Sequence, residues 1–440
     1  MKKKYFGTDG IRGEANKFPI TKEFVYKIAI ALKLFKASTK NVLVGKDTRI
    51  SGAFIEKALN DGFKSVDVSC DFMGIVSTPM VSFYTKLLKY DFGIMISASH
   101  NQFQDNGIKI FKQNGEKLTD SEEFKIEQKY EQIKIKPTFL DLPVLYKNSY
   151  ENDYKNYILK KFNNKDISKL KILIDSANGS VYKFAPNFFK HLGCNVVSCS
   201  DKPNGKNINK DCGAMFPKRL SALTLKHKAD IGVSFDGDAD RVVISDEKGN
   251  IIDGDNILAM ISSSNSRQGK NEPVVNTRMS NLSFRNFMKK SKIKLILSDV
   301  GDRYVIEKMK KYKAKLGGEP SGHIIFAENG YSGDGILTVM HLISIFLSSG
   351  KKLSYFYKGL YRKSYQKLVN ISTKKDPNDI IKEKEVLLIK KKISLKKNLD
   401  LLIRKSGTEN LLRIMVQSSI KSEVDNSINR ILKLIKKLDG

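Results

Sequence analysis

Residues 96–110 of this 440-residue chain read ISASHNQFQDNGIKI. They continue from an apolar run, Phe92 to Ile96, whose length and composition predict a buried strand. Two serines, a histidine and a lysine then lie on a segment rich in Asn, Gln and Asp with one glycine, which is typical of a loop. Reactive side chains on a loop at the end of a buried strand indicate a functional site held by a rigid scaffold.

Short apolar runs of the same kind recur along the chain and alternate with amphipathic, lysine-flanked segments. This alternation predicts an α/β fold. The predicted strands are residues 41–44, 92–96, 170–174, 231–235, 241–245, 274–276 and 295–297. The predicted helices, which have apolar residues at three- and four-residue spacing, are residues 21–36, 53–62, 181–192 and 334–347.

The length of the chain exceeds what one hydrophobic core supports, and roughly 150 residues per domain predicts about three domains. The strand and helix pattern breaks near residues 141–150, 249–254 and 372–397. These breaks predict three larger pieces and a smaller C-terminal one. A repeat architecture is not indicated, because no period of about 20 to 50 residues recurs.

The only long apolar run, Ile336 to Leu347, carries His341 and is shorter than the roughly 18 residues of a membrane span, so it predicts a buried helix. The basic start, Met1 to Lys4, is not followed by the apolar region of a secretory signal. The four cysteines form no CxxC pair and have no histidine at zinc-site spacing. We therefore expect reduced thiols in a cytoplasmic protein, with neither a disulfide framework nor a structural metal.

The chain is strongly basic: 78 Lys and Arg against 47 Asp and Glu give a formal net charge of +31. Clustered cations would favour a nucleic-acid partner, because they release counterions from a polyphosphate. Here the lysines are dispersed over nearly every segment, and no RNA-binding or zinc-finger signature accompanies them. We interpret the charge as a solvated lysine-rich surface, which would also attract a small phosphorylated substrate.

A second candidate site is residues 234–241, SFDGDADR, which lie between two predicted strands. Asp236, Asp238 and Asp240 occupy every second position, and like charges this close repel each other unless a cation joins them. Magnesium and calcium both prefer oxygen ligands, but the glutamate that ends a calcium-binding loop is absent, so magnesium is favoured. The alternative is an acidic turn without a ligand.

Two further loops carry groups suited to a sugar phosphate. Residues 404–413, RKSGTENLLR, combine forked arginine donors, hydroxyls and a flexible glycine, which suit a phosphate. Residues 317–323, GGEPSGH, offer Glu319, Ser321 and His323 to sugar hydroxyls. Taken alone, residues 404–413 are as typical of a solvated loop as of a phosphate site, and residues 317–323 are as typical of a tight turn as of a sugar site. Weaker glycine loops with a cation are residues 6–13 (FGTDGIRG), 45–52 (GKDTRISG) and 301–304 (GDRY).

The order of these motifs, from Phe6 to Val416, resembles the α-D-phosphohexomutase superfamily. Within it, residues 175–180 (DSANGS), the NIN and CGA triplets at 207–209 and 212–214, and GDRY are most similar to bacterial enzymes that act on glucosamine phosphates. The resemblance implies an α/β protein: three similar α/β domains with mixed sheets plus a smaller C-terminal α+β domain around a central cleft. The implied domains are residues 1–148 with the serine loop, 149–253 with the metal loop, 254–368 with the sugar loop and 369–440 with the phosphate loop.

The resemblance also implies a role for each motif. Ser99 is the implied phosphoserine. The implied magnesium ligands are Ser99, through its phosphate, and Asp236, Asp238 and Asp240. The implied catalytic residues are Ser99, Lys109, Arg12 and His100. Arg12, Lys109 and Arg241 would lie around the reacting phosphate. The implied substrate contacts are Arg241, Asp302, Arg303, Glu319, Ser321, His323, Arg404, Ser406, Gly407, Thr408 and Arg413.

Four positions depart from the superfamily pattern. Gln102 and Asn410 stand where prolines are common, which removes a fixed φ and predicts looser loops. Pro320 stands where those bacterial enzymes commonly have glutamine, and Lys46 replaces a usual arginine. None of the four removes a chemical group that the resemblance assigns.

The implied reaction interconverts glucosamine 6-phosphate and glucosamine 1-phosphate, upstream of UDP-N-acetylglucosamine and cell-wall synthesis. Phospho-Ser99 gives its phosphoryl group to the free hydroxyl, and Ser99 takes back the other phosphate of the 1,6-bisphosphate, which also serves as a primer. Lys109 is the candidate general acid/base, because neighbouring cations depress the pKa of a lysine; a plain counter-charge is the alternative. His100 either takes part or fixes the loop.

The expected partner is a small amino-sugar phosphate, with no nucleic acid and no membrane, and a homodimer is one possible assembly. Three other functions stay open. The same groups would serve a phosphomannomutase or a phosphoglucomutase, the charge alone suggests a nucleic-acid-binding protein, and a catalytically inactive sugar-phosphate sensor would keep the same pocket.

Overall fold

The computed structural model describes residues 3–140, 143–147, 150–162, 166–396, 398–405 and 411–440. Their strands form four sheets, which follow one another along the chain. The first three sheets are mixed and the last is antiparallel. The expected fold class, three α/β domains with mixed sheets followed by a smaller unit of strands and helices, is confirmed.

The first sheet has six strands in the order β1-β2-β6-β5-β3-β4. Its elements are β1 (Phe6–Gly7), β2 (Gly10–Glu14), α1 (Lys22–Phe35), β3 (Asn41–Lys46), α2 (Gly52–Lys64), β4 (Ser69–Ile75), α3 (Thr78–Leu87), β5 (Phe92–Ile96), β6 (Asp105–Lys112) and α4 (Asp120–Glu131). All five residues of β5 are buried, since the strand lies inside the sheet beneath helices. The loop that follows β5 is the serine loop, residues 97–104.

The second sheet has five strands in the order β11-β10-β9-β7-β8. Its elements are α5 (Tyr150–Lys161), β7 (Lys171–Asp175), α6 (Phe184–His191), β8 (Asn195–Cys199), α7 (Pro217–Lys226), β9 (Ile231–Phe235), β10 (Val242–Asp246) and β11 (Ile251–Ile252). Strands β9 and β10 pair antiparallel, with Phe235 opposite Val242. The connection between them is the acidic loop, residues 236–241.

The third sheet has four strands in the order β13-β12-β14-β15. Its elements are α8 (Gly254–Arg267), β12 (Val274–Thr277), α9 (Leu282–Lys290), β13 (Leu295–Ser298), α10 (Asp302–Tyr312), β14 (Leu316–Gly318), β15 (Ile324–Phe326), α11 (Gly335–Ser349) and α12 (Leu353–Lys358). The sugar loop, residues 317–323, joins the two antiparallel strands β14 and β15.

The fourth sheet has three strands in the order β16-β18-β17. Its elements are β16 (Tyr365–Ser372), α13 (Pro377–Lys382), α14 (Lys384–Ser394), β17 (Leu399–Lys405), β18 (Leu411–Ser418) and α15 (Lys421–Asp439). The sequence placed the last domain boundary at residue 369, inside β16. Because a strand belongs to one sheet along its length, we propose that this boundary lies before Tyr365.

A single cluster of buried apolar side chains runs through the first three units. It extends from Val81 and Tyr84 of α3, through Phe188 of α6, to Leu258 of α8 and Ile343 of α11. The fourth unit has a core of its own. This shared cluster packs the three units against one another, whereas Ile96 and Ile108 beside the serine loop belong to a separate cluster within the first unit.

The long apolar run of the sequence forms α11, which is mostly buried, as expected. His341 within it stacks on Phe326, with ring centroids 4.1 Å apart. Among the described residues, no helix combines the length and the apolar character needed to cross a membrane.

The N-terminus of α11 depends on a buried carboxylate. Asp334 accepts a hydrogen bond from the Leu337 amide at 2.9 Å and another from the Tyr154 hydroxyl at 2.5 Å. Burial raises the pKa of Asp334 to about 6. The side chain thus caps the helix and ties α5 to it.

We expect Asp334→Asn to flatten the pH dependence of stability. The folded pKa lies above the ordinary value of 3.8, so between about pH 4 and pH 6 the unfolded chain loses a proton that the folded protein keeps. The free energy of unfolding should therefore fall as pH rises through this window, by roughly 2 to 3 kcal/mol. Urea unfolding at both ends of the window measures the slope. Equal slopes for wild type and variant would contradict the prediction.

Candidate active site

The serine loop places one hydroxyl against the acidic loop. Ser99 is fully buried, and its Oγ donates to Oδ2 of Asp236 at 2.6 Å. The backbone of Ser99 has φ +53°, in the left-handed region that few non-glycine residues adopt. Its amide donates to Oγ of Ser97 at 2.9 Å. One hydrogen bond thus joins the candidate phosphoserine to the acidic triplet, a contact that the sequence alone could not show.

Asp236, Asp238 and Asp240 converge as the sequence predicted. All three are buried, and each offers an oxygen within 4.8 Å of the others. Oδ1 of Asp238 has no hydrogen-bond partner in the part of the chain that the structure describes. Burial, followed by the neighbouring Asp240 and Asp238, raises the pKa of Asp236 to about 8. Three converging buried carboxylates with a spare oxygen fit a hard divalent cation.

Lys109 contacts this acidic cluster. Its Nζ lies 2.7 Å from Asp238, 2.8 Å from Asp240 and 3.1 Å from Asp9. Burial alone would lower the pKa of Lys109, but the carboxylates of Asp238, Asp240 and Asp9 outweigh it and raise that pKa well above its ordinary value. Lys109 thus lies as a counter-charge beside these carboxylates, and its role as general acid/base stays a prediction.

Arg12 and His100 flank the serine. Arg12 pairs with Asp9 and donates to the Ala98 carbonyl at 3.3 Å. Nη1 of Arg241 donates to Nδ1 of His100 at 2.8 Å. Burial and then the adjacent Arg241 and Arg12 lower the pKa of His100 to about 3, so its ring is neutral at physiological pH. His100 therefore accepts a hydrogen bond from the arginine rather than carrying a charge of its own.

The third unit contributes two buried polar side chains. Glu319 accepts from the Gly301 amide at 3.0 Å, and burial raises the pKa of Glu319. His323 Nε2 accepts from the Gly333 amide at 3.1 Å, while Nδ1 lies 3.5 Å from Asp240. The sugar loop thus reaches the acidic loop, whereas Ser321, at its tip, is exposed.

Asp302 and Arg303, predicted as substrate contacts, form ion pairs between the first and third units. Asp302 pairs with the half-buried Lys117, and Arg303 pairs with Glu123 and Asp120. These pairs join the two units, and direct substrate contact by Asp302 and Arg303 stays a prediction.

The fourth unit presents two arginines. Arg404 and Arg413 face each other in register on β17 and β18. Burial and then Arg413 lower the pKa of Arg404, an effect that Glu319 of the third unit partly offsets. Ser406, Gly407 and Thr408, also predicted as phosphate contacts, lie outside the described residues.

Sequence reasoning missed several residues of the site. Asp9 and Arg49 lie in two of the weaker glycine loops, and their charge is the available signal. Thr78 and Lys117 gave no local signal, because their partners Asp238 and Asp302 lie far along the chain. The Thr78 hydroxyl donates to Oδ2 of Asp238 at 2.5 Å and its amide to the carbonyl of the same residue at 3.0 Å.

We expect Thr78→Val to weaken divalent cation binding roughly 10- to 100-fold, because the hydroxyl orients a candidate ligand. Valine keeps the shape of threonine and removes only the donor. Calorimetric titration with Mg²⁺ measures the affinity, and Thr78→Ser, which keeps a hydroxyl, serves as the control. Equal affinities for Thr78→Val and wild type would contradict the assignment of this oxygen to the cation site.

Three family models match the chain. They are described as phosphoglucomutase/phosphomannomutase alpha/beta/alpha domains I, II and III, and they match residues 3–136, 149–249 and 253–364. Together they cover most of the chain.

Curated relatives match over full length. The chain is 39% identical to "Phosphoglucosamine mutase 2" of Shewanella sp. (strain MR-7), over 99% of this chain and 100% of that protein. It is 40% identical to "Phosphoglucosamine mutase" of Campylobacter jejuni subsp. jejuni serotype O:23/36, over 99% of both.

Solved structures share the fold. A phosphoglucomutase/phosphomannomutase family protein of Burkholderia thailandensis aligns with a TM-score of 0.81 at 20% identity, over 98% of this chain and 97% of that one. Aspergillus fumigatus N-acetylphosphoglucosamine mutase, solved in complex with GlcNAc-6P and magnesium, aligns with a TM-score of 0.64 at 18% identity, over 91% and 83%.

Proposed function

Since the chain belongs to the phosphoglucomutase/phosphomannomutase family, we propose that it acts as a phosphoglucosamine mutase, interconverting glucosamine 6-phosphate and glucosamine 1-phosphate. The reaction type rests on one observation: the buried Ser99 hydroxyl lies 2.6 Å from a carboxylate of the acidic triplet. The amino-sugar substrate rests on the full-length relatives that carry this name.

In the proposed reaction, Ser99 carries a phosphoryl group. The free hydroxyl of the hexosamine monophosphate attacks that phosphorus, the bond from phosphorus to the serine oxygen breaks, and a 1,6-bisphosphate forms. After the bisphosphate turns around, Ser99 attacks the other phosphate and the isomeric monophosphate leaves. The proton of the attacking hydroxyl passes to the Ser99 oxygen in the first step, and in the second it passes from Ser99 to the hydroxyl of the product, so the enzyme is regenerated.

The residues around Ser99 suit this exchange, in which alignment and charge neutralisation matter most. Asp236 accepts the hydrogen bond of Ser99 and so directs its Oγ. Arg12, Lys109 and Arg241 bring positive charge to the serine loop and the acidic loop. When bound by Asp236, Asp238 and Asp240, a magnesium ion supplies further charge neutralisation for the phosphoryl group.

The sugar and the second phosphate would bind on the third and fourth units. Glu319 and His323 are candidate hydrogen-bond partners for sugar hydroxyls, and Arg404 and Arg413 for the phosphate that does not react. The electrostatic effect of Glu319 on Arg404 supports a common pocket for these groups. Ser406, Gly407 and Thr408 remain part of this proposal on the basis of their motif alone.

A panel of hexose monophosphates tests the function. We expect the highest kcat/KM with glucosamine 6-phosphate in the presence of Mg²⁺ and a catalytic amount of glucose 1,6-bisphosphate. The family models, whose descriptions name glucose and mannose mutases, favour those sugars as the second candidates. A higher kcat/KM with glucose or mannose phosphate would replace the substrate while keeping the chemistry, since specificity is a difference in transition-state binding.

A further inference from the structure

We infer that Arg49 and Asn209 are positioning residues, which hold the backbone of the serine loop so that the Ser99 hydroxyl stays at the acidic triplet. The inference rests on the proposed phosphoryl transfer through Ser99. Neither side chain needs to touch the substrate for this role; both act through carbonyl oxygens of the loop.

Arg49 directs its guanidinium at the loop. It is 2% exposed, and its Nη2 donates to the carbonyls of Ser99 at 3.0 Å and Asn101 at 2.7 Å. Nη1 donates to the carbonyl of Asp105 at 3.0 Å and to that of Gln102. An arginine whose forked donors all serve carbonyls has none left for a phosphate, so its function is to shape the loop.

Nε of Arg49 extends the same network to the Ser99 amide. It donates to Oδ2 of Asp47 at 2.9 Å, and the same carboxylate accepts from the Ser97 hydroxyl at 2.6 Å. That hydroxyl in turn accepts from the amide of Ser99 at 2.9 Å. Both the amide and the carbonyl of Ser99 are therefore fixed from the Arg49 side.

Asn209 reaches the same carbonyls from the second unit. Its Nδ2 lies 2.8 Å from the carbonyl oxygens of both Ser99 and Asn101. The acidic loop packs against the same atoms, since a Cβ added at Gly237 would lie 2.6 Å from the Ser99 carbonyl and 2.9 Å from Nδ2 of Asn209. The carbonyls of Ser99 and Asn101 thus each accept one hydrogen bond from the first unit and one from the second unit.

The conformation of Ser99 explains why two donors are needed. A serine at φ +53° is unfavourable on its own and persists only where its surroundings determine it. Gln102 also stands where the superfamily commonly has a rigid proline, so the loop depends more on its hydrogen bonds. Without the two side chains we expect the loop to relax and to move the Ser99 oxygen away from Asp236.

The two units are also joined beside this network. The Thr48 hydroxyl donates to the carbonyl of Asn178 at 2.5 Å, and the Ile50 amide donates to that of Gly205 at 3.0 Å. The residues that hold the serine loop therefore lie on segments that contact each other. Placement of the phosphoryl carrier is coupled to docking of the second unit on the first.

The test uses the full-length variants Arg49→Lys and Asn209→Gly. Lysine at position 49 keeps the positive charge but lacks the forked donors of arginine. Glycine at position 209 removes the side-chain amide and tolerates the backbone φ of +56° there. Asn16→Gly is the matched control, because Asn16 is an exposed asparagine with φ +65° in no contact described above. Melting temperature, kcat and KM are measured for each, together with the rate at which glucose 1,6-bisphosphate phosphorylates Ser99, followed by intact mass.

We expect kcat and the phosphorylation rate to fall roughly 10- to 100-fold in both variants, as misplacement by about 1 Å does elsewhere. KM should change by less than about threefold, because substrate groups are untouched. The ³¹P resonance of phospho-Ser99 should also shift, whereas Asn16→Gly should match wild type in every measurement.

Other outcomes separate the alternatives. Wild-type kcat and phosphorylation rates in Asn209→Gly and in folded Arg49→Lys would overturn the inference, as would a lower melting temperature alone. If Arg49→Lys does not fold, Asn209→Gly decides. If wild type phosphorylates Ser99 but isomerises no glucosamine phosphate, the proposed substrate fails, and the phosphorylation rates still test the positioning. If wild-type Ser99 takes up no phosphate, both the phosphoserine mechanism and the inference fail.

Discussion

Ser99→Ala is expected to lose at least about 10⁴-fold in kcat for glucosamine-phosphate isomerisation, which is on the order of the loss when a nucleophile is removed from other enzymes. Two features support an effect of this size. Among the described residues, Ser99 has the one hydroxyl that donates to Asp236, and the protein encloses it completely. Alanine leaves no oxygen at this position to accept or return a phosphoryl group.

The experiment combines turnover with intact-mass measurement. Wild type incubated with glucose 1,6-bisphosphate should gain the mass of one phosphoryl group, and Ser99→Ala should not. Ser176→Ala is a matched control, because Ser176 is also fully buried and its hydroxyl has no hydrogen-bond partner among the described residues. If Ser99→Ala keeps near wild-type turnover, the phosphoserine mechanism is wrong, whatever the substrate.

Much of the α/β scaffold could be predicted from short-range patterns. The run from Phe92 to Ile96 is a strand with those same bounds, because a short apolar run followed by a loop is typical of a strand buried on both faces. The helix predicted at 21–36 is found at Lys22–Phe35, and Thr21 caps it by accepting from the Phe24 amide. In such elements the local sequence preference and the burial in the folded protein favour the same secondary structure.

One strand of the fourth sheet could not be predicted in this way. Strand β16, Tyr365–Ser372, exposes most of its residues and contains Gln, Lys and Asn, so it lacks the apolar signal of the inner strands. It forms because β18 pairs along its whole length. Pairing between segments some 40 residues apart is decided by tertiary contacts, which outweigh weak local preference.

The candidate site likewise has parts that the local sequence predicts and parts that only tertiary contacts decide. The acidic triplet could be predicted because its three members share one loop, and local chemistry alone makes such a cluster unusual. The partners of Asp302 and Arg303 could not, since Lys117 and Glu123 lie on another unit and meet them only when the first and third units pack. Glycine-rich motifs thus identify which loops carry chemistry, but the direction of each side chain depends on packing between domains.

Asp238→Asn is expected to lower cation affinity and to reduce kcat by roughly 10²- to 10³-fold, the usual loss when one group that stabilises transition-state charge is removed. Asp238 is central to the triplet: its Oδ2 contacts Thr78 and Lys109, and its Oδ1 has no hydrogen-bond partner among the described residues. The amide keeps the shape of the side chain and removes one negative charge.

Cation binding and turnover have to be measured separately, because Asp238 also balances Lys109. We expect chelated wild type to lose activity and to regain it with Mg²⁺, whereas Asp238→Asn should regain little at the same concentration. Electron paramagnetic resonance with Mn²⁺ then reports binding in the absence of turnover. Asp246→Asn, which removes a buried carboxylate at the end of β10 opposite to the acidic loop, should bind Mn²⁺ as wild type does. Wild-type Mn²⁺ affinity in Asp238→Asn would mean that the triplet serves to hold Lys109, and that any cation required for turnover binds elsewhere.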